Sequence, residues 1–197
     1  MAVKWWRAGP TGRVCLQMAD ITEWSGDVVV NSAKETLEGG GGVDGALHAA
    51  AGPELLKECR AIPEERPGVR CPTGEVRLTR GHNLSSAHVI HTVGPVHAAH
   101  SPERARDLLS RCYSNALALA AEKGFKTIAF PAVSCGAFGF PLGEAARVAV
   151  SAALERIGDP VEEVHFVLFD VKTFKAFSEA AGLILGDEIP DFSTYVA

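Results

Sequence analysis

The chain has 197 residues, 47% of them apolar, and a formal net charge of −5. That length suits one domain with a full core, and the mild acidity gives no general attraction to nucleic acid or anionic membranes. The five cysteines (15, 59, 71, 112 and 135) are odd in number and form no CxxC pair, so they read neither as a disulfide framework nor as a zinc site.

A reducing, intracellular compartment is expected: cytoplasm or nucleus, with an organelle left open. No apolar run approaches the about 20 residues that span a bilayer. The N-terminal "MAVKWWRAGP" lacks the apolar core of a secretory signal, and Trp5 and Trp6 read either as a packed arm or as part of a processed leader.

In chain order, "RVCLQM" (13–18) and "DVVV" (27–30) read as strands. "DGALHAAA" (44–51) and "PELLKECR" (53–60) read as helices, joined by the Pro-rich surface connection 62–74 to the strands "EVRLT" (75–79) and "HVIHTV" (88–93). From Ser101 to Lys123 the apolar positions Leu108, Cys112, Ala116 and Leu119 fall at helical spacing, with Pro102 just inside and Gly124 just past the end. "TIAFP" (127–131) predicts a buried strand, 142–157 a helix, "EVHFVLF" (163–169) a strand and 172–185 a last helix. Strands alternating with helices predict α/β layers around a mostly parallel sheet, in one domain without repeat or linker.

Ligands of such sheets bind beyond the carboxyl ends of the strands. "ADITEW", "NSAKETLEGGGGVD", "PAVSCGAFGFP" and "FDVKTF" leave those ends. The two glycine-containing loops each lead into a helix, whose N-terminus suits phosphate; two converging on one crevice would suit a diphosphate. Neither GxGxxG nor a Walker loop is present, which disfavours dinucleotide-fold oxidoreductases and P-loop NTPases.

"DVVVNSAKETLEGGGGVDGALHAAAG", "TRGHNLSSAHVIHTVGP" and "IAFPAVSCGAFGFP" resemble the macrodomain family, and within it the MacroD-type group and its plant members. The resemblance covers roughly residues 13–185 of a single domain 1–197. It implies a three-layer α/β/α fold with a central mixed, mostly parallel sheet. It also implies binding of ADP-ribose and hydrolysis of groups from its 1″ position. The substrates implied are mono-ADP-ribosylated protein, O-acetyl-ADP-ribose or ADP-ribose-1″-phosphate. A non-catalytic ADP-ribose reader is the alternative. The expected partners are ADP-ribose, its derivatives and mono-ADP-ribosylated proteins. Neither cofactor nor metal is expected.

Carried over by motif, Asp20 and the backbone N–H of Ile21 would meet adenine, since an acceptor-only carboxylate selects an exocyclic amine. A cap on the turn at Thr22 is the other reading of Asp20. Phe169 reads either as an aromatic against adenine or as core. Ser134, Gly136, Ala137 and Phe138 resemble a phosphate loop in which Gly136 and Gly139 allow positive φ, so that successive N–H groups turn inward. Phe138 would cover the distal ribose, or act with Phe140 as an apolar lid. Cys135 as a nucleophile lacks an accompanying His or Asn signature.

Gly40, Gly41, Gly42 and Val43 would pass against the distal ribose and diphosphate as bare backbone. Asp44 would activate water or orient the distal ribose, or cap the helix. Asn31 would bond the distal ribose, or serve a turn. His48, one turn beyond Asp44, reads as a packed helix residue, and His91 as a structural histidine in a strand. Lys34 is the departure. Hydrolytic relatives usually carry an Asn three residues after the first. Lysine has three donors, no acceptor and a full charge, so it cannot reproduce an amide.

Overall fold

The computed structural model describes residues 2–190. The first half comprises β1 (Val3–Ala8), β2 (Gly12–Met18), β3 (Val28–Ser32), α1 (Gly42–Ala51), α2 (Pro53–Ala61), β4 (Val76–Arg80) and β5 (His88–Thr92). The second comprises α3 (Pro102–Glu122), β6 (Thr127–Phe130), α4 (Leu142–Arg156), β7 (Glu163–Leu168), α5 (Val171–Leu185) and β8 (Glu188–Ile189). No helix among the described residues is long and apolar enough to cross a membrane.

All eight strands form one sheet in the order β4-β5-β3-β6-β7-β2-β1-β8. From β5 to β2 the neighbours run parallel, while β4, β1 and β8 each pair antiparallel at the flanks. The central strands are apolar at successive positions because both their faces are covered. Val28, Val30, Ile128, Phe130, Val164 and Phe166 pack into one core with α3, α4 and α5. Val29, Val89, Ala129 and Val167 pack into a second core with Leu47 and Ala51 of α1 and Leu55 and Cys59 of α2. This is the expected three-layer α/β/α arrangement. Each buried large side chain contributes about 1.5–3 kcal/mol.

Helix ends follow their local chemistry. Ser101 Oγ accepts from Arg104 N at 3.3 Å at the start of α3. At its end, Gly124 takes φ +73°, and the Gly124 and Phe125 N–H groups bond back to Ala121 and Ala120, a Schellman closure.

Trp5 and Trp6 lie in β1, paired with Cys15 and Val14 of β2. They are therefore a packed arm, Trp6 only 2% exposed. Helix α1 begins at Gly42, two residues earlier than the composition indicated.

The topology makes a crevice. After β3 the chain passes to α1 and α2 and then to β4 and β5 on one side of the sheet order. After β6 it passes to α4 on the opposite face and then to β7. Loops leaving neighbouring strands toward opposite faces part from one another at the strands' carboxyl ends.

Candidate functional site

The crevice between β3 and β6 is one elongated cleft with two lobes. The first, about 450 Å³, is lined by Lys34, Gly41, Asp44, Ser134, Gly136, Ala137 and Phe138. The second, about 380 Å³, is lined by Asp20, Ile21, Ala46, Val167 and Phe169. Gly42, Val43 and Pro131 border both lobes and make them continuous. Two of the predicted site residues stand behind the wall. Asn31 is fully buried beneath it. Gly40 backs the loop, where an added Cβ would meet Lys34 Nζ at 2.9 Å and Asp44 Oδ2 at 3.2 Å.

The base of the first lobe is a buried polar chain. Asn31 Nδ2 donates to Asp44 Oδ1 at 2.7 Å and meets His91 Nδ1 at 3.1 Å. His91 Nε2 meets Thr79 Oγ1 at 2.9 Å. Asp44 is only 4% exposed. It does not cap α1: Gly41 holds that position, and the Asp44 side chain turns across to Asn31. Asn31 likewise serves no local turn. Asn31 Oδ1 and Asp44 Oδ2 are left as buried acceptors without a protein partner. Buried polar groups are normally bonded, so these two acceptors are exceptions among the described residues. Burial drives His91 down to about 3, so its ring stays neutral.

The glycine block has a separate reason at each end. Gly39 and Gly42 take φ +77° and +60°, which a side chain would resist. Gly45, one turn into α1, faces the carbonyl oxygen of Gly40, 2.3 Å from where its Cβ would sit. The loop is thus pressed against its own helix. The N–H groups of the first turn of α1 lack intrahelical acceptors and open on the cleft.

In the second loop the left-handed residues are Ser134 (φ +63°) and Gly139 (φ +66°), not Gly136. The turn into the nest is made at Ser134, whose buried Oγ sits so close to Gly94 that a Cβ there would lie 2.0 Å away. The N–H groups of Ser134, Gly136, Ala137 and Phe138 find no acceptor among the described residues. They form a donor-lined wall suited to an anion. The lining stops at Phe138, so this wall is loop backbone, and the N-terminus of α4 at Leu142 takes no part. Phe138 lines the lobe, whereas Phe140 is core, stacked edge-on with His97 at 4.9 Å.

Cys135 sits 3.5 Å from the Val133 carbonyl, and burial pushes its thiol up to about 12. It stands outside the lining of the lobe, and a protonated thiol is a poor nucleophile.

In the second lobe Asp20 Oδ1 accepts from Thr22 N at 2.9 Å and Thr22 Oγ1 at 2.8 Å, so the turn cap is real. Oδ2 is not used by the cap. Phe169 is not core: β7 ends at Leu168, and the ring is 84% exposed at the rim of the lobe. Lys34 is exposed at the mouth of the first lobe and makes no ion pair within 4 Å among the described residues, including to Asp44.

The ligand atoms of His48, Cys59 and His91 lie within 4.8 Å of one another. Both ring nitrogens of His91 are already engaged, by Asn31 and Thr79, so a cation would have to displace one of them. His48 Nε2 lies 3.6 Å from Asp44 Oδ1. The composition gave no sign of Thr79 and marked His91 only as structural. The sign lies in register: Asn31 of β3 stands opposite His91 of β5.

A family model described as Macro domain matches residues 30–149. A Macro domain-containing protein of Xanthomonas axonopodis pv. citri is 47% identical over 173 residues, 85% of this chain and 94% of that protein. An O-acetyl-ADP-ribose deacetylase of Escherichia fergusonii is 42% identical over 170 residues, 84% of this chain and 93% of that protein. Among solved structures, the Oceanobacillus iheyensis macrodomain with ADP superposes with a TM-score of 0.87 at 37% identity, covering 93% of this chain and 96% of that one. With the layered sheet and the glycine-lined cleft, these matches establish that the chain belongs to the Macro domain family.

Proposed function

We propose that the cleft binds ADP-ribose and that Asp44 supports hydrolysis of a group carried at its 1″ position. The observation that carries this reading is the buried Asn31–Asp44 pair, of which Asp44 lines the first lobe and each residue keeps one acceptor without a partner among the described residues. Asp44 lines the lobe with Asn31 holding it from behind, so its carboxylate suits a hydroxyl of a distal ribose. The donor walls of 41–43 and 134–138 suit the diphosphate between the lobes. Asp20 Oδ2, the Ile21 N–H and the exposed face of Phe169 suit adenine in the second lobe. The solved relative with ADP and the relative named a deacetylase agree with this class of ligand.

In the reaction, Asp44 Oδ2 takes a proton from a water that attacks the 1″ ester. The water's hydroxyl joins the acyl carbon or phosphorus of the 1″ group, that atom's bond to the 1″ oxygen breaks so the group leaves as its acid, and Asp44 returns the proton to the 1″ oxygen. Asn31 holds Asp44 through Oδ1, which leaves Oδ2 for the water. Within the family we assign the chain to the MacroD-type group on its "GGGGVDGALHAAAG" block. Mono-ADP-ribosylated proteins, O-acetyl-ADP-ribose and ADP-ribose-1″-phosphate are the substrates we propose.

One observation favours a second reading. Lys34 stands at the mouth of the first lobe, at the position where, by the family resemblance, hydrolytic members usually carry Asn, and a reader without turnover would tolerate that change. Turnover assays on all three substrates, beside an ADP-ribose titration, decide between them. Binding with release of free ADP-ribose supports the enzyme. Binding without release from any substrate supports the reader.

A further inference from the structure

We infer that His91 is a positioning residue for this site: backed by Thr79 it anchors the Asn31 amide, and through Asn31 it orients Asp44. The inference rests on the proposed placement of the distal ribose in the first lobe.

An asparagine amide is nearly symmetric in shape, so its orientation is set by the hydrogens around it. Asn31 Nδ2 has two hydrogens and two neighbours, Asp44 Oδ1 at 2.7 Å and His91 Nδ1 at 3.1 Å. The carboxylate can only accept. His91 Nδ1 accepts only while it is bare, which puts the ring proton on Nε2. There Thr79 Oγ1 receives it at 2.9 Å. Cys59 Sγ, 3.6 Å from the same nitrogen, competes poorly, because burial pushes that thiol up to about 12 and keeps it uncharged. Burial likewise keeps His91 neutral.

A flipped amide would set its oxygen against the Asp44 carboxylate, so Asp44 demands the present orientation. His91 completes it by accepting the second amide hydrogen in the tautomer that places its proton toward Thr79. That orientation spends both amide hydrogens inside the protein and leaves Asn31 Oδ1 as the unpartnered acceptor. The chain runs from β4 through β5 and β3 to α1, four elements from distant parts of the sequence. Such a network is costly to bury unless each member is satisfied, and among the described residues it leaves Asn31 Oδ1 and Asp44 Oδ2 without a partner.

The test compares ADP with ADP-ribose. ADP lacks the distal ribose, so its affinity reports the fold, the adenine lobe and the donor walls alone. His91→Phe removes both ring nitrogens at similar volume, and Thr79→Val removes the acceptor of the Nε2 proton. By calorimetry, His91→Phe should weaken ADP-ribose about tenfold, the worth of one positioning hydrogen bond, with ADP unchanged. Thr79→Val should act in the same direction by a few-fold. On any substrate turned over, kcat should fall while KM moves less. In an Asn31→Ala background, His91→Phe should add nothing further, because its effect passes through Asn31.

Equal loss of ADP and ADP-ribose would make His91 merely structural and overturn the inference. So would an undiminished His91→Phe effect in the Asn31→Ala background, or unchanged affinities in both single variants. Should His91→Phe fail to fold, Thr79→Val decides by the same ratio. A wild-type protein that binds ADP-ribose no better than ADP would refute the reading of the first lobe itself, a result distinct from any of these.

Discussion

Replacing Asp44 by Ala separates chemistry from binding. Asp44 is 4% exposed, with Oδ1 held by Asn31 at 2.7 Å and Oδ2 without a protein partner. Truncation leaves the Asn31 N–H unpaired, a loss of about 1.5–3 kcal/mol for a charge-assisted bond. It also removes an anion from the first turn of α1, worth about 0.3–1 kcal/mol. Against these, a desolvated carboxylate is no longer buried, so the net destabilisation should stay below about 3 kcal/mol. ADP-ribose loses one acceptor and keeps the donor walls and the adenine lobe, so affinity should fall by no more than about tenfold, or 1.4 kcal/mol. Turnover loses its base, worth about 100- to 10,000-fold, or about 3–5 kcal/mol of barrier. Calorimetry with ADP-ribose and chromatographic release of ADP-ribose from O-acetyl-ADP-ribose measure the two effects on one sample. Turnover within about fivefold of wild type would refute the role of Asp44. Loss of binding along with turnover would make it a ligand anchor and no base.

Lys34→Asn should selectively weaken ADP-ribose-1″-phosphate by about tenfold relative to ADP-ribose, because the ammonium at the lobe's mouth faces the 1″ group; equal affinities before and after would remove that role. Cys135→Ser should keep most turnover, and its complete loss with binding intact would restore the thiol as a candidate. Gly45→Ala should lower stability by about 1–3 kcal/mol despite alanine's better helix propensity, because its Cβ would lie 2.3 Å from the Gly40 carbonyl oxygen; a raised melting temperature would contradict this contact. Stability should also fall with acid. His91 titrates near 3 in the fold against 6.5 as the ordinary value, so the unfolded chain binds the extra proton between those limits. The contribution is complete above about pH 6.5 and is lost at up to about 1.4 kcal/mol per pH unit below it. Asp44, His48 and Cys59 are its titratable neighbours, so urea midpoints of wild type and His91→Phe between pH 7.5 and 4 isolate it; parallel slopes would refute the assignment.

The parallel core was readable because strands covered on both faces must be apolar at every position, as in "DVVV" and "EVHFVLF". Strand β1 was not, because Trp5 and Trp6 are adjacent and flanked by Lys4 and Arg7, which blurs the two-residue alternation. Strand β8 has only two residues and carries no pattern at all. The cleft was legible as loops because glycine blocks and strand ends mark themselves. Its conformational details were not. Ser134, not Gly136, takes a left-handed turn, and its Oγ is seated against Gly94, forty residues earlier, a contact that no local pattern shows. The Asn31–His91 bond joins residues sixty apart and appears only once β3 and β5 are known to be neighbours in register.

The most direct test of the account is a calorimetric titration of the wild-type chain with ADP-ribose, with AMP as control. One site is expected, with a dissociation constant of about a micromolar or tighter, near −8 kcal/mol, and much weaker binding of AMP, which lacks the β-phosphate and distal ribose. An absence of binding at millimolar ADP-ribose would contradict the assignment of the cleft.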